Sequence, residues 1–184
     1  INGVKAAGGI WQAADLNGYE VIERSPIRFN SSGYEVISAP LPSAGGIALA
    51  GILQGLDSLP KAEPRSVTQT HQLVELMRRT YRDRAMLLGD NDFVPVPVAE
   101  LTSKAYAVAM ARDIDPERAT PSSALGPLRD FHEGTNTTHF SLMDADGNAV
   151  SATLSINLPF GAAFTPPGTG VLLNNEMDDF AADP

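Results

Sequence analysis

Two threonines, Thr137 and Thr138, stand side by side near the start of the run NTTHFSLMDADGNAVSATLSIN, residues 136–157. A threonine hydroxyl is a weak nucleophile until a base takes its proton. Were the Asn136–Thr137 bond cut, Thr137 would carry both groups: its hydroxyl, and a free α-amine to serve as base directly or through a water. The reference pKa of such an amine, roughly 7.7–8.0, lies near working pH, as a general base requires. Asn136 and Thr137 are therefore the candidate processing pair, and Thr137 the candidate nucleophile.

A hairpin must position them. DADGN (144–148) suits a three-residue loop, with Gly147 in the left-handed conformation that closes a type I turn with a bulge. Asp144 then faces Asn148, and pairing runs outward: Ser141 with Ser151, His139 with Thr153, Thr137 with Ser155. Side chains alternate faces, so these residues form one polar row, continued by Asn157. Leu142 with Val150, Phe140 with Ala152 and Thr138 with Leu154 form an apolar row suited to a core. A one-residue slip would mix the rows, so the pattern itself selects the register. Ser155, opposite Thr137, could orient the nucleophilic hydroxyl.

Upstream, residues 18–29 and 33–40 alternate as two strands, with NSSG (30–33) as the turn. Apolar residues from Ile47 to Leu56 recur at helical spacing, with Ser43 a candidate N-cap. Residues 66–88 predict the chain's strongest helix, with Val67, Leu73, Val74, Met77 and Tyr81 on its apolar face and Arg78, Arg79, Arg82 and Arg84 on its polar one. A third helix is expected from Ala99 to Asp113. The Pro-, Ser- and Gly-containing stretch 115–136 reads as a long, exposed, flexible connection, and loops of that length are usually functional.

The 184 residues, 43% hydrophobic, suffice for one domain with a core. A net charge of −9 argues against a nucleic-acid or anionic-membrane partner. With no cysteine there is no disulfide, thiolate metal site or cysteine nucleophile. No apolar stretch is long enough to span a bilayer. DADGN lacks the downstream glutamate of a calcium loop, His71, His132 and His139 lack metal-ligand spacing, and PSAGG is not a nucleophile elbow. No metal or cofactor is expected.

TTHFSLMDADGNAVSATLSINLPFGAAF followed by GTGVLLNNEMDDF resembles the start of the small subunit of γ-glutamyltransferases (γ-glutamyltranspeptidases). YEVIERSPI, GYEVISAPLPSAGGI, YRDRAMLLGDNDFVPVP, LTSKAYA and PSSAL resemble the end of the same family's large subunit, in the same order. The resemblance implies a precursor that cleaves itself before a threonine. It also implies an α+β chain forming part of the αββα sandwich of N-terminal-nucleophile hydrolases. Residues 1–136 would then be the large-subunit region, with the connection at about 115–136, and 137–184 the start of the small subunit. Thr137 matches the nucleophile, and Ser155 the hydroxyl that supports it. Asn157 matches a residue contacting the γ-glutamyl group, and Glu176 and Asp179 match those binding the substrate's α-amino group.

Implied substrates are glutathione-like γ-glutamyl donors, with water or an amino acid as acceptor; a related amidase of the cephalosporin-acylase kind is the alternative. PLPSAGG has Ala44 where the family often has a second serine. The family's carboxylate-holding arginine and its oxyanion donors, each worth roughly 2.7–4 kcal/mol, would lie outside residues 1–184. The remainder of both subunits is thus the expected partner. A chain lacking it would be weakly active or a non-catalytic piece, and its exposed apolar sheet surface would favour self-association. The family suggests a periplasmic or secreted protein.

Overall fold

The computed structural model describes residues 1–126 and 137–179, which divide into two compact units. The first comprises residues 22–126 and contains the larger core. Its hairpin pairs β1 (Ile27–Ser31) antiparallel with β2 (Tyr34–Ser38) through a turn in which Ser32 and Gly33 both have positive φ, 51° and 85°. That is the twist-matching turn of tight hairpins. Asp57 holds it, accepting from the Ser32 amide at 2.9 Å and its hydroxyl at 2.7 Å. The expected strand over 18–29 is shorter than its alternation predicts. Residues 18–26 are not strand, and Tyr19, Val21 and Ile22 are exposed. Pro26, immediately before β1, has no amide to give to a ladder.

Alternate β1 residues Ile27 and Phe29 face inward against Ile47 and Ala50 of helix α3 (Gly45–Ser58), with Leu41 and Leu101 completing the cluster. The N-cap of α3 is Ala44, not Ser43. The Ser43 hydroxyl still accepts from the Gly45 amide at 3.3 Å, one residue upstream of the usual geometry.

The long helix α4 (Val67–Leu87) begins where the sequence places it, with the Ser66 hydroxyl accepting from the Gln69 amide at 3.1 Å. Its buried face is not the expected one. Val67, Leu73, Val74, Met77 and Tyr81 are exposed, whereas Gln72, Glu75, Leu76, Arg79, Thr80 and Asp83 are buried. The helical period is right and the phase is wrong, because the buried polar groups find partners. Gln72 Nε2 donates to the Pro60 carbonyl at 3.0 Å. Tyr106 Oη donates to Asp83 at 2.8 Å, and burial with this hydrogen bond pushes the phenol up to about 12.

The third expected helix is two: α5 (Val98–Leu101) and α6 (Lys104–Arg112). Ser103 interrupts them by capping α6, accepting from the Tyr106 amide at 3.1 Å, while Gln54 Nε2 binds the Thr102 carbonyl at 2.9 Å. The connection is exposed over most of residues 115–124, as composition predicts, and it is hydrogen-bonded to α4 at points over residues 115–125, where Ser122–Leu125 form a 3₁₀ turn.

The second unit comprises residues 1–21 and 137–179. Two short helices, α1 (Asn2–Ala6) and α2 (Ala13–Asn17), open it, α2 with a reciprocal Gln12–Asp15 cap. Its hairpin joins β3 (Thr138–Met143) to β4 (Ala149–Leu154). The expected register holds along the ladder, with Thr138 opposite Leu154, His139 opposite Thr153, Phe140 opposite Ala152, Ser141 opposite Ser151 and Leu142 opposite Val150; the expected pair Thr137 with Ser155 lies beyond its end. Gly147 has φ 84°, its amide donates to the Asp144 carbonyl at 3.2 Å, and the Asp144 amide donates to the Asn148 carbonyl at 3.0 Å. The apolar row does not form a core: Phe140, Leu142, Val150 and Leu154 are exposed. No helix of the described residues is long and apolar enough to cross a membrane.

Candidate active site

The open end of the β3–β4 hairpin gathers most of the predicted residues. The ladder closes at Thr138 and Leu154, so Thr137 and Ser155 flank it on opposite strands. Thr137 is exposed. Asn136 lies outside the described residues. Along the polar row, His139 Nδ1 lies 2.8 Å from Thr153 Oγ1 and its Nε2 3.1 Å from Ser151 Oγ. The imidazole is thereby fixed on both sides.

Past β4 the chain turns sharply. The Ser155 hydroxyl accepts from the Asn157 amide at 2.9 Å, and Asn157 adopts φ 66°. Asparagine tolerates this left-handed conformation better than other residues carrying a side chain. Asn157 is 5% exposed, and its Nδ2 donates to the Asn175 carbonyl at 3.0 Å. Asn175 answers: its amide reaches the Ile156 carbonyl at 3.4 Å, and its Oδ1 accepts from the Leu158 amide at 3.1 Å. Its own Nδ2 donates to Asp178 at 2.6 Å.

This pairing brings the acidic 3₁₀ turn Glu176–Asp179 against the end of β4. The Asn174 side chain accepts from the Glu176 amide at 3.0 Å, fixing the turn's first residue. Glu176 Oε1 is buried and has no hydrogen-bond partner among the described residues. A buried carboxylate oxygen normally has a donor, so this one stands out among the described residues. Asp179 is exposed at the end of the turn, and it is Asp178 that joins the hydrogen-bond net. Sequence reasoning missed Asn174, Asn175 and Asp178, for which the asparagine pair in NNE is the available signal. Among the described residues no three His, Asp or Glu side chains gather as metal ligands.

Several known proteins similar to this chain are named as proenzymes. The chain is 45% identical over 181 residues to the glutathione hydrolase proenzyme of Pseudomonas sp. (strain A14), covering 97% of this chain and 32% of that protein. Residues 1–184 match the pattern of the Gamma-glutamyltranspeptidase family throughout, and the chain belongs to that family. Two solved structures resemble it. The gamma-glutamyltranspeptidase from Pseudomonas nitroreducens complexed with L-DON aligns at a TM-score of 0.62 and 34% identity, over 67% of this chain and 38% of that one. The cephalosporin acylase from Bacillus halodurans aligns at 0.78 and 28% identity, over 98% and 32%. The chain spans about a third of the length of the curated relatives it matches.

Proposed function

We propose that this chain is the processing-site segment of a γ-glutamyltransferase that cleaves itself between Asn136 and Thr137 and then uses Thr137 as nucleophile. The observation that carries the reading is the buried Glu176 Oε1, without a partner among the described residues and fastened beside the end of the strand that pairs with Thr138. It puts an acceptor for a substrate ammonium in the same unit as the candidate nucleophile.

After cleavage, the α-amine of Thr137 takes the proton of its own hydroxyl, and Oγ attacks the γ-amide carbon of a glutathione-like donor. The tetrahedral adduct expels the amine, which leaves with that proton, and a γ-glutamyl threonyl ester remains. Water or an amino-acid amine then attacks the ester and restores the hydroxyl. Ser155 supports the nucleophile, Asn157 the γ-glutamyl group, and Glu176 with Asp179 the donor's α-ammonium. Charge-assisted hydrogen bonds of that kind are roughly twice as strong as neutral ones. The remaining parts of both subunits supply the oxyanion donors.

The test is the denaturing intact mass of the full-length protein, followed by turnover of a γ-glutamyl anilide. Two chains divided before Thr137, with both cleavage and aniline release abolished in Thr137→Ala, are expected. One uncleaved chain that still turns over would overturn the reading. The similarity to a cephalosporin acylase over 98% of the chain favours a second reading, an amidase for other acyl side chains. Preference for a glutaryl over a γ-glutamyl anilide would select it.

A further inference from the structure

His139 and Thr153 form the outermost rung of the β3–β4 ladder on its polar face, and both ring nitrogens of the histidine are in use. Nδ1 lies 2.8 Å from Thr153 Oγ1, directly across the ladder. Nε2 lies 3.1 Å from Ser151 Oγ and 3.4 Å from Ser141 Oγ. One imidazole thus joins β3 to β4 at two successive polar rungs.

The place of this tie in the ladder gives it a consequence. The Asp144 amide donates to the Asn148 carbonyl, and antiparallel rungs alternate between those that exchange backbone hydrogen bonds and those that do not. Counting outward by twos from that bond, Leu142 with Val150, Phe140 with Ala152 and Thr138 with Leu154 are backbone-bonded rungs. Ser141 with Ser151 and His139 with Thr153 are not, and at such rungs the strands come closest, with Cα atoms about 4.5 Å apart. Side chains therefore set the spacing there. Thr137 and Ser155 come next in the same series, one step past the last backbone-bonded rung and on the face of His139.

Exposed hydrogen bonds exchange with water and add little to stability. Three hydroxyls gathered on one imidazole are better explained by the geometry they fix. We infer that His139 is a positioning residue for acyl transfer at Thr137: by tying Thr153 and Ser151 of β4 to β3, it sets the separation of the strand ends that carry Thr137 and Ser155, and it exchanges no proton with either. This rests on the reading of Thr137 given above. Such spacing matters to rate, since misplacement of a reacting group by about 1 Å can cost about 100-fold.

The experiment measures turnover of a γ-glutamyl anilide by the full-length protein, counted per cleaved chain from the denaturing mass. Wild type is compared with His139→Ala, His139→Asn, Thr153→Val and the double variant His139→Ala/Thr153→Val. Asparagine places its amide near the position of Nδ1, and that group both donates and accepts, so His139→Asn keeps a partner for Thr153. Expected are a kcat about tenfold lower in His139→Ala and in Thr153→Val, with KM, melting temperature and the shape of the pH profile unchanged. His139→Asn should recover most of the loss. The double variant should be no slower than either single one, because both remove the same tie. Wild-type kcat in both single variants, or losses that multiply in the double variant, overturns the inference. So does a His139→Asn variant that behaves like His139→Ala, or a changed pH profile, which would make the imidazole a proton carrier. Thr153→Val keeps the shape of its residue and decides the matter if His139→Ala does not fold or does not cleave. An uncleaved wild type, or turnover that survives Thr137→Ala, overturns the reading of Thr137 and this inference with it.

Discussion

Asn157 and Asn175 fasten two stretches of chain to each other in both directions. The Asn157 side-chain amide donates to the Asn175 carbonyl at 3.0 Å, and the Asn175 side-chain oxygen accepts from the amide of Leu158 at 3.1 Å. The first stretch leaves β4 beside Ser155, and the second begins the turn that carries Glu176. The spacing between the hairpin end and the buried carboxylate oxygen is thus set by amides, whose hydrogen bonds do not change with pH.

Replacing Asn157 tests this directly. Asn157→Ala removes the donor, leaves a carbonyl without its partner, and puts alanine at φ 66°. Loss of the bond costs about 1–3 kcal/mol, and the left-handed backbone adds about 1 kcal/mol or more. Asn157→Gly relieves only the second cost and should be the milder change. Urea midpoints of the full-length protein should rank wild type, then Gly, then Ala. Equal loss in the two variants would show that backbone conformation contributes nothing.

Gly161 supports the same turn from the other side. Its φ is 50°, and a Cβ there would lie 2.2 Å from the Leu173 carbonyl oxygen. The backbone must move, since that carbonyl is already held by the Ala162 amide at 2.9 Å. Gly161→Ala should therefore cost more than about 2 kcal/mol, the upper end for left-handed backbone alone. It should also disturb the Asn157–Asn175 pair, seen as faster exchange of the Leu158 amide. A variant melting like wild type would contradict the close approach.

Acid should weaken the α4 network. Burial raises the Glu75 carboxyl pKa, but hydrogen bonds from Thr120 and Arg79 outweigh it and hold the group at about 2, against an ordinary 4.5. A depressed carboxylate contributes stability that is fully present above about pH 4.5 and lost as pH falls toward 2. The shift corresponds to about 3 kcal/mol. Thermal melts between pH 6 and 2.5 should fall across that window, and Glu75→Gln should flatten the fall while lowering stability at neutral pH. An unchanged slope in Glu75→Gln would assign the acid sensitivity elsewhere.

The β3–β4 register was legible because a polar row and an apolar row cannot be exchanged without mixing. It did not depend on burial, and it survives although Leu142 and Leu154 are exposed. The phase of α4 was not legible, for the opposite reason. Its pattern of burial at 72, 75, 76, 79, 80 and 83 is a regular helical stripe, yet apart from Leu76 it is written in glutamine, glutamate, arginine, threonine and aspartate. Hydrophobicity marks the buried face only where buried polar groups lack partners, and here Thr120 and Tyr106 supply them. The break between α5 and α6 was hidden likewise, since it depends on Gln54 reaching the Thr102 carbonyl from forty-eight residues away. Thr137, Ser155, Asn157 and Glu176 could be named from their motifs. That Glu176 keeps one oxygen buried and without a partner among the described residues could not, because it follows from how Asn174 and Asn175 fold the turn.

That oxygen carries the sharpest prediction about activity. If Glu176 receives the donor's α-ammonium, the contact forms when substrate binds and persists through acyl transfer, so it is uniform binding. Removing it should raise KM and leave kcat nearly unchanged. A charge-assisted hydrogen bond is worth about 1.5–3 kcal/mol, so Glu176→Gln in the full-length enzyme should raise KM for a γ-glutamyl anilide about 10- to 150-fold. The same variant should lose discrimination against a glutaryl anilide, which has no α-amine to bind. Asn175→Ala, which frees the turn but keeps the carboxylate, should raise KM less and broaden it across both substrates. A fall in kcat with KM unchanged would instead place Glu176 among groups felt only in the transition state, and the ammonium would need another partner.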